Sequence, residues 1–198
     1  KLGCVTSNKD FEDRVRKLQL SGESEKARAE LLALQAKTPE HNRVAVDMIL
    51  ANFLINEGLV DDALNLLVRF YPDKKSDFRY LTLLGKAASR AGEFQTAVGA
   101  YERAVKLSPN SRKGREVLFQ AAYMSYQFQD YDGAVRKFEQ FVKRQPKSGL
   151  AQDAQWHLAW LKYLRGDYKG ALERFDVVKH SINKRRSSAD ELLRRISY

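Results

Sequence analysis

Residues 90–109, "RAGEFQTAVGAYERAVKLSP", decide the fold, because residues 163–182, "YLRGDYKGALERFDVVKHSI", repeat them in register. Each stretch carries a turn glycine (Gly92, Gly166), an acid, an aromatic (Phe94, Tyr168), an Ala five residues after the glycine (Ala97, Ala171) and an aromatic four beyond that (Tyr101, Phe175). Glycine can take positive φ, so one helix can end and an antiparallel partner begin within a few residues. Ala lets the paired helices approach closely, and the aromatic one turn later fills the groove beside it. Each stretch therefore reads as the turn and second helix of a helical hairpin.

Working outward, the same frame fits five times, with turns at Gly22, Gly58, Gly92, Gln129 and Gly166. The small residue is Ala27, Ala63, Ala97, Ala134 and Ala171, followed by Leu31, Leu67, Tyr101, Phe138 and Phe175. Pro39, Pro109 and Pro146 then stop the second helix, and Pro72 comes early in the second unit. Such a hairpin cannot bury its apolar face alone, so neighbours must stack. With a period near 34 residues and the Leu84-Gly85, Gly92, Ala97, Tyr101, Ala104, Pro109 series in its third unit, the chain resembles the tetratricopeptide repeat family.

The resemblance implies an all-α fold, a right-handed α-solenoid of about five tetratricopeptide helix-turn-helix repeats plus a C-terminal helix. The repeats fall at about 8–41, 44–77, 78–111, 115–148 and 152–183, after a tail at 1–7 and before a polar linker and terminal helix at 184–198. Helices are expected at 9–21, 23–37, 42–56, 59–71, 76–90, 94–107, 113–127, 131–144, 150–164 and 168–180. The extra residues "RKG" and "SGL" lengthen the connections before the fourth and fifth units.

Length and composition suit one domain large enough to bury a core: 198 residues, 43% hydrophobic and 30% charged. The net charge of +10 is uneven, with 15 Lys plus Arg against 14 Asp plus Glu in residues 1–99, and 20 against 11 in 100–198. A basic second half attracts acidic partners, yet no stacking platform interleaved with basic residues points to specific nucleic-acid binding. No apolar run reaches the roughly 18 residues of a membrane span.

Catalytic signatures are missing. The sequence holds no GxxxxGK loop, no GxGxxG after a strand and no HExxH. His41, His157 and His180 lie in different units without metal spacing, and His157 reads as a surface or groove histidine. One cysteine, Cys4, excludes an intrachain disulfide. No cofactor, no metal and no catalysis are expected of these residues.

Binding is expected on the wall formed by the first helices. Positions i, i+4 and i+7 there read Met48, Asn52, Ile55; Thr82, Lys86, Ser89; Phe119, Tyr123, Tyr126; and Trp156, Trp160, Tyr163. The expected groove set is Asn52, Lys86, Arg90, Phe119, Tyr123, Tyr126, Trp156, Trp160, Lys162 and Tyr163. The rings would grip a peptide or stack on sugars, while Lys86, Arg90, Lys162 and the flanking Arg79 attract acidic groups. The lysine-asparagine carboxylate clamp of chaperone-type tetratricopeptide proteins does not fit, because Met48 and Leu83 stand where its lysine and second asparagine would be.

Two narrower resemblances suggest a bacterial envelope setting. "AQDAQWHLAWLKYLRGDYKGALERFDVV" with "SADELLRRISY" resembles the solenoid of periplasmic lytic transglycosylases, which would make this chain a non-catalytic arm near peptidoglycan. The Glu-Ser pair in "GESEK" lacks the surroundings of that family's catalytic acid. "FVKRQPKSGLAQDAQWHLA" is similar to envelope lipoproteins of the barrel-assembly and pilus-assembly machineries. Cys4, preceded by Gly3 and followed by a polar tether, would then be lipidated and supply the only membrane attachment. The leading expectation is a scaffold binding a protein or acidic peptide, periplasmic or outer-membrane associated; the alternatives are the transglycosylase arm and a cytoplasmic adaptor.

Overall fold

The computed structural model describes residues 8–69 and 77–181. The tail with Cys4, Pro72, and the expected linker and terminal helix at 184–198 lie outside the described residues. The described residues form ten α-helices and no strand: α1 (Asn8–Leu20), α2 (Ser24–Lys37), α3 (Val44–Asn56), α4 (Val60–Val68), α5 (Phe78–Arg90), α6 (Phe94–Leu107), α7 (Arg112–Gln127), α8 (Tyr131–Arg144), α9 (Gly149–Leu164) and α10 (Tyr168–Ser181). A short 3-10 turn at Glu40–Asn42 precedes α3, which therefore starts two residues later than expected.

The turns take the conformation that the repeat frame requires. Gly22, Gly58, Gly92 and Gly166 have φ between 79° and 82°, and Gln129, in the same register, has φ 62°. At each glycine turn the next residue's N–H reaches back five residues, as in Glu93 to the Ala88 carbonyl at 2.8 Å and Asp167 to the Lys162 carbonyl at 3.0 Å. These bonds satisfy carbonyls that the helix end would otherwise orphan. Side-chain caps open several helices, with Ser111 accepting from the Gly114 N–H and Asp130 from the Gly133 N–H.

The chain divides into two compact units, residues 1–104 and 105–198, with the division inside α6. In the first unit α1, α3 and α5 are consecutive first helices, each packed on the next, while α2 and α4 back them. Ala27, Ala63 and Ala97 are fully enclosed, as are Leu31, Leu67, Leu81 and Tyr80. Tyr80 donates its hydroxyl to the Leu67 carbonyl at 2.7 Å, and burial pushes its pKa up to about 12. Gly85 explains the Leu-Gly pair: a Cβ there would lie 2.5 Å from the Tyr101 ring, which is 5% exposed.

In the second unit α7 packs on α8, α8 on α9 and α9 on α10. The core joins Leu118, Phe119, Ala122, Phe138, Phe141 and Leu158. Phe119 meets Phe138 and Phe141 edge-on, at centroid distances of 5.6 and 5.4 Å. This corrects the expectation that Phe119 lines the groove. It opens the i, i+4, i+7 stripe too far around α7, toward α8, where two phenylalanines already wait. Burying a ring of that size stabilises the fold by about 2–3 kcal/mol. No helix among the described residues is long and apolar enough to cross a membrane.

Candidate binding surfaces of the first-helix wall

In the first unit the wall centres on Lys86. Its ammonium donates to Asn52 Oδ1 at 3.3 Å and to Asn56 Oδ1 at 3.1 Å, both one helix away on α3. A cavity of about 350 Å³ opens beside it, lined on its polar side by Glu12, Asp13, Arg16 and Gln19 of α1, Asn52 and Asn56 of α3, and Arg79 of α5, so two carboxylates share it with three cations, Lys86 included. Burial lowers the Lys86 pKa, and the nearby Arg90 charge lowers it further. Arg90 spans to the same helix, donating to the Ile55 carbonyl at 2.6 Å. Arg79 is paired with Glu12, so its charge is locally balanced.

Asn52, Lys86 and Arg90 thus lie near one another, but the stripe that located Asn52 and Lys86 is corrected at its ends. Met48 is 6% exposed and Ile55 fully buried, because α3 is enclosed on most of its circumference. The outward pair is Asn52 and Asn56, a plain i, i+4 spacing, and Asn56 was missed by sequence reasoning. The signal for it was the second amide one turn after the first.

In the second unit the wall is aromatic. Tyr131, Tyr126, Tyr123, His157, Trp156, Trp160, Tyr163 and Tyr168 form an unbroken run of ring contacts. Trp156 and Trp160 stack at 5.8 Å and 9°, Trp160 and Tyr163 at 5.1 Å and 19°. Exposure rises along the run, from half-buried Tyr123, Tyr126, Trp156 and Trp160 to exposed Tyr163 and Tyr168. Rings held by their neighbours offer apolar surface to a ligand at little conformational cost.

His157 is a second correction. It is 8% exposed, stacked on Phe138 at 5.0 Å and 7°, with Tyr123, Tyr126 and Trp156 around it. Its place one residue after Trp156 turns it inward, away from the surface expected of it. Lys162 also serves differently: it pairs with Asp167 at the α9–α10 turn, and that bond, with the Gly170 N–H, lowers the Asp167 pKa. That partly exposed pair holds its ammonium at the turn.

Against known proteins, a family model described as tetratricopeptide repeat matches residues 50–112, 82–125 and 119–184. With the helix pairs above, that match makes this chain a member of the tetratricopeptide repeat family, whose members are generally non-catalytic protein-interaction scaffolds. No curated protein matches the sequence. Among solved structures, the crystal structure of MamA protein is similar at a TM-score of 0.72 and 18% identity, over 87% of this chain and 90% of that one. A tetratricopeptide repeat protein from Parabacteroides merdae gives 0.73 and 19%, covering 90% of this chain and 68% of that one. The TPR-like repeats of a putative kinesin light chain from Podospora anserina give 0.73 and 21%, covering 87% and 92%. At these identities the likeness is one of fold.

Proposed function

We propose that this chain is a scaffold that binds an extended, acidic segment of a partner protein on its first-helix walls. The observation that carries the reading is Lys86, a partly desolvated cation whose ammonium meets two amide oxygens of α3 rather than a carboxylate. Amides orient the charge without neutralising it, so a carboxylate arriving in the cavity gains a charge-assisted bond. The aromatic run offers apolar side chains of a partner a second, independent surface. Short peptides selected from a random display library on the purified chain should be enriched in Asp and Glu beside apolar residues. Selection of neutral or basic peptides would overturn the reading.

A glycan reading is favoured by one feature, the exposed rings of Tyr163 and Tyr168 at the end of the run, against which sugar rings can pack. Co-sedimentation with peptidoglycan sacculi separates the two: retention that survives moderate salt moves the assignment to a transglycosylase-type arm. We propose the bacterial envelope as its setting, supported by the sequence around Cys4 and the resemblances above. Incorporation of labelled palmitate that Cys4→Ser abolishes would support it, and absence of label in the wild type would count against lipidation.

A further inference from the structure

A second cavity, of about 490 Å³, lies in the second unit away from the wall residues, where the connections before α7 and α9 meet the end of α8. That volume falls within the range of small-molecule pockets. Four cations line it, Arg112, Arg115, Arg144 and Lys147, against one acid, Glu116. Glu116 sits 3.6 Å from Arg112 across a largely exposed pair, a contact that solvent weakens. The positive ends of α7 and α9 meet the negative end of α8 here, so the helix dipoles partly cancel and the side-chain cations carry the field.

The cavity is built by the residues in which the chain departs from its repeat period. "RKG" (112–114) opens α7 and "SGL" (148–150) caps and opens α9, so the extra residues extend these two helices and not, as expected, the connections before them; they supply Arg112, Ser148 and Leu150 to the lining. Gly114 allows this, since a Cβ there would lie 1.8 Å from the Ser108 carbonyl oxygen. Two of the arginines reach backbone carbonyls: Arg115 donates to Asn110 at 2.5 Å, and Arg144 makes a longer contact to Pro109 at 3.4 Å. The Arg115 Nε is enclosed and makes no hydrogen bond within the described residues. Phe141, Pro146 and Leu150 give the same cavity an apolar side.

We infer that this cavity is a binding site for a small organic phosphate, its phosphoryl group held by Arg112, Arg115, Arg144 and Lys147 and its apolar body against Pro146 and Leu150. Arginine suits that task because its planar fork matches phosphate oxygens two at a time. A phosphoryl group alone would leave the apolar side unused, and a neutral apolar ligand would leave four cations facing each other.

Calorimetric titration of the purified chain with phenyl phosphate tests the site, with inorganic phosphate and benzyl alcohol as probes of each half. The expected result is saturable one-to-one binding of phenyl phosphate, tighter than either other probe. Arg144→Gln and Arg112→Gln should each weaken it about tenfold, the loss of one charged hydrogen bond. Arg136→Gln, which removes the same charge from an exposed position on α8, should leave it unchanged. Circular dichroism of each variant confirms its folding before titration. The inference is overturned by absence of saturable binding, by equal affinity for phenyl phosphate and either control probe, or by an equal loss in Arg136→Gln. Because no wall residue lines this cavity, its failure leaves the peptide-binding reading untouched.

Discussion

At the residue scale, the turn positions show how much conformational need a sequence can display. Four of five are glycine, and the structure gives all five positive φ. Gln129 alone holds that conformation with a side chain, at a cost of roughly 1 kcal/mol. Gln129→Gly is therefore expected to stabilise the chain by up to about 1 kcal/mol, raising Tm by roughly 2–4 °C, with calorimetry as the check. An unchanged or lower Tm would mean that the Gln129 side chain stabilises the turn by as much as its backbone strains it. The five Ala positions were equally legible, since each is enclosed, 2% exposed or less, where a larger side chain would separate the paired helices.

At the element scale, the helices were readable to within two residues except at the end of α4, which stops at Val68, three residues before the expected 71, because glycine, proline and capping Ser or Asp punctuate most of them. The wall was less readable. A stripe at i, i+4, i+7 assumes a helix with one buried face, and α3 and α7 are buried on more than one. Hence Met48, Ile55 and Phe119 fall inside while Asn52, Tyr123 and Tyr126 fall on the wall side. The Lys86 site depends on side chains of two helices meeting, and its consequence is a pH dependence. Below its lowered pKa Lys86 is charged in the folded chain, and an acidic ligand stabilises that charge; above it the ammonium is lost. Affinity for an acidic selected peptide should be flat at neutral pH and fall with rising pH before the usual lysine value of 10.5 is reached. Lys86→Met should bind weakly and remove that fall. A wild-type profile that stays flat into the alkaline range would show that Lys86 does not touch the ligand.

At the scale of the whole molecule, the repeat frame made the family legible, because stacked hairpins advertise themselves by period. The partner did not follow from it, since period reports packing and recognition lies in side chains that the period leaves free. The aromatic run of the second unit is where that distinction is sharpest: the same rings that extend the core at His157 and Phe138 reach solvent at Trp160 and Tyr163. The most direct test of the account is to measure Trp160→Ala for both peptide affinity and Tm, with Phe119→Ala as the core reference. Trp160→Ala should weaken a selected peptide about tenfold while shifting Tm far less than Phe119→Ala, whose cavity costs about 3–5 kcal/mol. A large drop in Tm with unchanged affinity would assign Trp160 to the core and contradict a binding wall.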